Sequence, residues 1–224
     1  MRLAKAALDV GVQISAADPA AVLAFHRQRA GLPFDHTLPL GGGRRQERHV
    51  WGDSVVKLNH RRGGLPAGTG RPTGWGPVTL RGPEHEARTT LEDPEGNRVL
   101  LAPGADRTLE IDLRVPDAAA SLAFFAGLGL PVEGNRVGVG ASAIHVVSDP
   151  AASAGDLEGP GYRYVTLQVE RADDAHREAL AAGAGEGMAP RTLGEVARIS
   201  FVIEPGGNWI ELSQRASIVG RLDP

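Results

Sequence analysis

The stretch Glu204–Leu212 reads EPGGNWIEL, and the stretch Asp93–Leu101 reads DPEGNRVLL in nearly the same pattern. Each begins with an acidic residue and a proline, turns at glycine and asparagine, and continues into an apolar strand, which predicts a tight hairpin. Two further segments, Leu8–Ile14 and Leu109–Val115, repeat each other about a hundred residues apart, and a helical pattern follows each of them. A repeat of this length predicts a duplicated domain rather than a solenoid of short units.

The composition is that of an ordinary globular protein. The 224 residues include 42% hydrophobic and 23% charged residues, with a formal net charge of −3. No cysteine is present, which excludes disulfides, zinc–thiolate sites and thiol catalysis. No basic run and no apolar segment of about 20 residues stands out, so we expect no nucleic-acid partner, no membrane span and a cytoplasmic location. The expected assembly is a monomer or a homodimer.

The hydrophobic period alternates between two and 3.6 along the chain, which predicts alternating strands and helices. Four β-α-β-β-β units follow from this pattern, two in each half. We therefore predict an α+β fold of tandem domains, spanning residues 1–104 and 105–224. A helix is expected at residues 117–127, and a shortened one at residues 83–88.

The strand-Asp-helix openings, the Leu-Ala-Phe and Gly-Leu-Pro stretches, and the closing hairpin Glu204–Leu212 resemble the vicinal oxygen chelate superfamily. This superfamily includes glyoxalases, bleomycin resistance proteins and extradiol dioxygenases. The resemblance covers about residues 6–214. It implies curved mixed sheets, each forming a cup around a ligand cavity with helices outside, and we expect one cup in each half of the chain.

Strand alternation predicts which side chains face the cup. In Leu109–Val115 the apolar side chains share one face and the charged ones the other, and the charged face must line the cup because unpaired charges are costly beneath a helix. The predicted inward set comprises Glu110, Asp112, Arg114, His145, Tyr164, Thr166, Gln168, Trp209 and Glu211.

The resemblance also implies metal-ligand positions on four strands of the C-terminal half, occupied by Glu110, His145, Tyr164 and Glu211. Glu110, His145 and Glu211 are predicted to bind a divalent ion (Fe²⁺, Mn²⁺, Ni²⁺ or Zn²⁺). Glu110, Glu211, Tyr164 and Asp112 are the candidate catalytic groups. Trp209, Tyr164, Gln168 and Arg114 are the candidate substrate contacts.

The corresponding positions of the N-terminal half are occupied by Asp9, Lys57, Pro77 and Leu100. This set cannot bind a divalent cation, so the first half is predicted to carry a degenerate site. We expect Asp9 and Lys57 to form an ion pair inside its cup, since each would be costly to bury alone.

Two functions follow from these residues. The first is a metal-dependent dioxygenase, lyase or isomerase acting on a small oxygen-rich or aromatic substrate in the C-terminal half. The alternative is a metal-free protein that binds and sequesters an aromatic compound, as bleomycin resistance proteins do. In both cases the partner is a small molecule.

Overall fold

The computed structural model describes residues 1–222, whose strands form two mixed sheets. In chain order the strands are β1 (Leu3–Gln13), β2 (Phe34–Gly41), β3 (Arg44–Trp51), β4 (Ser54–Arg61), β5 (Trp75–Gly82), β6 (Thr89–Glu92), β7 (Arg98–Pro103), β8 (Thr108–Val115), β9 (Val132–Glu133), β10 (Arg136–Val139), β11 (Ser142–Ser148), β12 (Gly161–Val169), β13 (Gly185–Leu193), β14 (Ala197–Ile203) and β15 (Trp209–Arg215). The α+β fold of four strand-rich modules and two curled mixed sheets is confirmed.

The larger sheet has eight strands in the order β13-β14-β15-β12-β1-β4-β3-β2. At its centre β1 pairs antiparallel with β12, and each central strand has a parallel neighbour, β4 or β15. The smaller sheet repeats this pattern with seven strands in the order β6-β7-β5-β8-β11-β10-β9. Here β5 and β8 form the antiparallel centre. Each sheet therefore joins two modules about a local two-fold axis.

The pairing of modules corrects one expectation. The first module pairs with the fourth in the larger sheet, and the second pairs with the third in the smaller sheet. Each cup therefore takes strands from both sides of residue 104, and the expected cup within each half is wrong. The division of the chain into domains of residues 1–104 and 105–224 stays a prediction.

Four short α-helices lie within residues 1–222: α1 (Ala20–Ala24), α2 (Ala118–Gly127), α3 (Ala172–Ala181) and α4 (Ala216–Val219). The first continues as a π-helical turn over Phe25–Arg29. Asp117 is the N-cap of α2, and its carboxylate accepts a hydrogen bond from the Ala120 N–H at 3.0 Å. The helix expected at residues 83–88 is wrong, because this segment forms turns and bends.

The apolar faces of the two sheets and the helices share one core. Helix α2 packs on β8 and β11, and α3 packs on β13, β14 and β15. Alternation places Ile111, Leu113 and Val115 on the buried face of β8, where each is 0% exposed. The polar face of the same strand lies in the cup, as the sequence predicted.

In each half, a polar contact joins the helix of one module to the closing turn of the next. The Ser121 hydroxyl of α2 donates to Glu204 Oε2 at 2.7 Å, in the closing turn of the fourth module. In the first half, His26 Nε2 lies 3.5 Å from Asp93 Oδ2, in the equivalent turn of the second module. The halves thus keep their own helix-to-turn contacts while their strands join different sheets.

Candidate functional site

The concave face of the larger sheet, which we call the large cup, has a charged cluster at its base. Lys57 Nζ of β4 donates hydrogen bonds to Thr166 Oγ1 at 2.6 Å and to Glu211 Oε2 at 2.7 Å. The Thr166 hydroxyl lies 2.5 Å from the same carboxylate oxygen. The side chains of Lys57 and Glu211 are only 4% and 12% exposed. A cation from the first module is therefore neutralised by an anion from the fourth.

The environment keeps Glu211 ionised. Burial by itself would raise the pKa of this carboxyl group, but the Lys57 ammonium and the hydrogen bonds from Lys57 and Thr166 hold it below its usual value. A carboxylate in this state accepts hydrogen bonds or protons and donates none. The base of the large cup therefore presents a paired ammonium and carboxylate.

A chain of polar side chains leads from this base along the wall of the cup. Arg48 Nη1 donates to Gln46 Oε1 at 2.9 Å, and Gln46 Nε2 donates to Asn59 Oδ1 at 3.0 Å. Asn59 Nδ2 in turn donates to the Tyr164 hydroxyl at 3.3 Å. Burial, together with the nearby Glu211 carboxylate, raises the pKa of Tyr164, so its phenol stays protonated. Tyr164 is thus placed to donate a hydrogen bond rather than to act as an anion.

Gly11 makes room for the Tyr164 ring. The two residues are paired across β1 and β12, and a Cβ atom built on Gly11 would lie 2.3 Å from the ring. Such a distance is far inside van der Waals contact, so any side chain at position 11 would push the tyrosine into the cup.

We expect Gly11→Ala to lower the free energy of unfolding by about 1–3 kcal/mol, the usual cost of overpacking a filled site. The control is Gly185→Ala in the same sheet, where the added Cβ would meet nothing closer than 3.8 Å. Thermal unfolding of both variants measures the difference. Equal melting temperatures for the two variants would show that the Tyr164 ring moves without cost.

A cavity of about 300 Å³ lies above the base of the large cup. Its lining carries two carboxylates, those of Glu158 and Glu211, and a larger set of cations. The cations are Arg44, Arg48, Lys57, Arg61, Arg163, Arg191 and Arg215. These seven cations exceed the two carboxylates by five charges, although the whole chain has a formal net charge of −3. The cavity is therefore strongly electropositive in an acidic protein.

Apolar side chains complete the lining on two sides. Leu38 and Leu40 contribute from β2, at one edge of the sheet, and Met188 and Leu193 contribute from β13, at the other edge. Phe201 lies between them and meets Tyr164 edge-to-face, with ring centroids 5.4 Å apart. An apolar wall with a few polar groups is the usual composition of a small-molecule site.

Asp9 does not pair with Lys57, so the predicted ion pair is wrong. In the parallel pairing of β1 with β4, Lys57 lies opposite Gly11, which is two residues after Asp9 along β1. Asp9 instead accepts hydrogen bonds from Gln168 Nε2 at 2.8 Å and the Val55 N–H at 3.0 Å. The Lys57 ammonium pairs with Glu211, which the sequence-based cup assignment had placed in the other cup.

The concave face of the smaller sheet, which we call the small cup, holds the other predicted ligands. His145 Nε2 lies 3.2 Å from Glu110 Oε2, so both side chains face inward. The other carboxylate oxygen of Glu110 lies 3.0 Å from Arg81 Nε. Burial favours a raised pKa for Glu110, but Arg81 and His145 hold it below its usual value. Burial raises the pKa of Asp112 on the same strand.

The three predicted metal ligands do not converge. Glu110 and His145 lie in the small cup and Glu211 in the large cup, because β8 and β15 belong to different sheets. Within residues 1–222, no three His, Cys, Asp or Glu side chains are grouped so as to hold a metal ion.

Neither donor set fits the divalent ion implied by the family. The Glu211 carboxylate is already bonded to an ammonium, and a metal there would lie against a like charge. Both oxygens of Glu110 are engaged, one of them by the Arg81 guanidinium. The mismatch between these side chains and a divalent ion comes from the cations already bonded to their carboxylates.

The remaining predicted contacts are divided between the two cups. Trp209 donates its indole N–H to the Gly155 carbonyl at 2.9 Å and packs beside Phe201, behind the cavity lining. Gln168 is committed to Asp9. Arg114 faces the small cup and lies 3.7 Å from Asp149. Of the predicted substrate contacts, Tyr164 alone is among the residues that line the large cavity.

Sequence reasoning missed Arg48 and Arg215, which both line the large cavity. On β3 both faces are polar, since Arg27 binds Glu47 and His49 on the face opposite Arg48. Alternation therefore gave no signal for Arg48. A signal did exist for Lys57 and Asn59, which alternate with the apolar residues Val56 and Leu58 on β4.

Residues 107–212 match the family model of the Glyoxalase/Bleomycin resistance protein/Dioxygenase superfamily. This segment, nearly half of the chain, carries the sequence pattern of that superfamily. The resemblance proposed from the repeated strands and the closing hairpin is thereby confirmed. No curated protein matches the sequence significantly.

Solved structures extend the superfamily fold over the whole chain. Glyoxalase I from Zea mays is 16% identical, with a TM-score of 0.74, and the match covers 95% of this chain and 92% of that one. A single-residue variant of the same enzyme is 15% identical, with a TM-score of 0.77 and coverages of 99% and 96%. A proposed dioxygenase from Bacillus subtilis is 12% identical, with a TM-score of 0.71 and coverages of 100% and 91%. At these identities the likeness shows the fold alone.

No helix within the described residues, 1–222, is long and apolar enough to cross a membrane. The expected cytoplasmic location and the expected monomer or homodimer stay predictions.

Proposed function

We propose that this superfamily member binds a small organic molecule in the large cup without a divalent metal. The observation that carries the proposal is the Lys57 ammonium at the base of the cavity, bonded to Thr166 and Glu211. It supplies a fixed positive charge at the place where the superfamily resemblance implies a metal. The metal-free alternative considered from the sequence is therefore favoured over a metal-dependent reaction.

The cavity supports this proposal through its size and lining. A volume of about 300 Å³ lies at the lower end of the range of roughly 300–1,000 Å³ usual for small-molecule pockets. Its walls combine leucine, methionine and aromatic side chains with a few fixed polar groups. Such a site holds a ligand that has both an apolar part and a polar part.

A second candidate function is acid–base catalysis on the bound molecule, without a metal. It is favoured by Glu211, which is held ionised within reach of the cavity beside the Lys57 donor. An ionised carboxylate can serve as a general base where a substrate proton comes within hydrogen-bond distance. Binding and catalysis are separable by experiment, because binding leaves the ligand unchanged.

Ligand-observed NMR with a small-molecule library tests the proposal on protein dialysed against EDTA. We expect binders that stay bound in the presence of the chelator. Met188→Trp should abolish their binding, since the indole would fill the cavity from β13. Time-resolved spectra of the same samples detect turnover, which Glu211→Gln should stop if the chain is an enzyme.

The matched control is Leu100→Trp, which adds the same indole to the small cup. Leu100 shares a face with Glu110 because both are paired with Thr79. Binding should persist in this variant. The proposal would be contradicted if binding required an added divalent ion, or if no compound bound at all. It would also be contradicted if binding were lost in Leu100→Trp but kept in Met188→Trp.

A further inference from the structure

Of the arginines that line the large cavity, only Arg44 forms an ion pair within residues 1–222, and two of the others, Arg48 and Arg215, lie toward the base of the cup. Arg48 of β3 is 5% exposed, and it donates a hydrogen bond to the neutral amide of Gln46. Its Nε atom is buried and has no hydrogen-bond partner in the described part of the chain. Arg215, at the end of β15, is half-buried and also lines the cavity. Within residues 1–222, neither arginine takes part in an ion pair.

The two arginines lie close enough to repel each other. Burial and then the Arg48 guanidinium lower the pKa of Arg215, while the carboxylates of Glu211, Asp9 and Asp35 act in the opposite direction. None of these three carboxylates forms an ion pair with Arg215, and the Glu211 carboxylate is already paired with the Lys57 ammonium. The pair therefore retains uncompensated positive charge.

Buried unpaired cations are costly, and a folded protein keeps them where a ligand supplies the missing charge. A guanidinium binds carboxylates and phosphates through two parallel N–H groups. Arg48 approaches from β3 and Arg215 from β15, on opposite sides of the base. An oxyanion between them would satisfy the free Nε of Arg48 and relieve the repulsion.

We propose that Arg48 and Arg215 form a carboxylate-binding subsite, and that the ligand of the large cup is an organic carboxylate. This inference rests on the proposed function. The apolar part of the ligand lies against Ile199 and Phe201, since Ile199 is paired with Ser213 on the strand that carries Arg215. The apolar walls from β2 and β13 favour a single carboxylate on a hydrophobic body over a highly charged phosphate.

The test uses a panel of aromatic and aliphatic monocarboxylates, each paired with its primary amide, and phenyl phosphate as the comparison oxyanion. Affinities are measured by ligand-observed NMR or calorimetry on the full-length protein. The amide keeps the size and shape of the acid but removes its charge. We expect acids to bind more tightly than their amides, and more tightly than phenyl phosphate.

Arg48→Gln and Arg215→Gln should each weaken acid binding roughly ten- to a hundredfold, the scale of a lost charge-assisted hydrogen bond. Amide binding should change by less than about twofold, so the acid-to-amide ratio falls. A merely structural role would weaken both ligand types together. The control is Arg114→Gln, which removes the same charge from the small cup and should leave the ratio unchanged. If Arg48→Gln fails to fold, Arg215→Gln carries the test.

The outcomes separate this inference from the proposed function. Amides that bind as well as acids, with binding still blocked by Met188→Trp, would overturn the carboxylate subsite and leave the proposed function standing. An acid preference that survives both glutamine variants would also overturn it, as would tighter binding of phenyl phosphate than of any acid. Failure of every panel member to bind, acids and amides alike, would count against both proposals.

Discussion

Lys57→Met is expected to destabilise the protein more than any other single substitution at the site. The variant leaves the Glu211 carboxylate mostly buried and without its cation, and breaking a buried pair in this way typically costs about 3–5 kcal/mol. For a chain of this size, we expect the melting temperature to fall by roughly 6–20 °C. Thermal unfolding at pH 7 measures the effect.

The control for this prediction is the double variant Lys57→Met/Glu211→Met. With both charges removed, no uncompensated anion remains, and we expect most of the lost stability to return. A Lys57→Met protein as stable as the parent would show that water reaches Glu211 and that the pair contributes little.

The pH dependence of the Lys57→Met effect follows from the same pair. In the parent protein the pKa of Glu211 is lowered, so its stabilising contribution is complete above the unfolded pKa of about 4.3 and is lost as the pH falls through the folded value. In Lys57→Met, burial without the cation raises that pKa, and the carboxyl group becomes less costly once it is protonated. The difference in stability should therefore be largest near neutral pH and shrink as the pH falls toward 4.

Glu204→Gln is the second substitution for which we expect a large loss of stability. Glu204 is 1% exposed, and its carboxylate accepts four hydrogen bonds. Oε2 accepts from the Ser121 hydroxyl and the Gly206 N–H, and Oε1 accepts from the backbone N–H and side-chain amide of Asn208. In the variant, the NH₂ group of glutamine replaces one of these oxygens. It therefore faces N–H or O–H donors from which it cannot accept a hydrogen bond. We expect a loss of about 2–4 kcal/mol, measured by urea unfolding.

The control for Glu204→Gln is Glu195→Gln, which changes the same charge on an exposed turn between β13 and β14. It should leave the midpoint of unfolding unchanged. A comparison with Asp93→Asn tests the equivalent turn of the second module, where Asp93 accepts hydrogen bonds from the Glu95 N–H and from the backbone and side-chain N–H groups of Asn97. If Glu204→Gln unfolds at the same urea concentration as Glu195→Gln, the turn tolerates an unpaired donor and the prediction is wrong.

The metal expectation shows how a correct fold can accompany a wrong site. Alternation assigned Glu110, His145 and Glu211 correctly to inward faces, because side chains on a strand change face at every residue. It could not say which inward faces meet. Glu110 and His145 meet each other, whereas Glu211 meets Lys57 from the first module.

Some signals of the true pairing were present in the sequence but were not specific. Lys57 is one of two lysines in the chain, and it stands on an inward face where Glu211 could neutralise it. Gly11 interrupts an apolar strand, and its lack of a side chain admits the Tyr164 ring. Neither residue identifies its partner by itself, since a single lysine or a single glycine is compatible with many neighbours across a sheet.

The sequence by itself determined the repeat, the superfamily, the α+β class and the faces of the strands, because these depend on local spacing and on the period of apolar residues. Only the tertiary structure decided that β1 pairs with β12 and β5 with β8, since four similar modules offer similar edges and hydrophobic period does not encode the partner. That choice brings Lys57 to Glu211 and Arg48 to the same cavity as Arg215. The chemistry of the site is therefore a consequence of long-range pairing between the first and last modules.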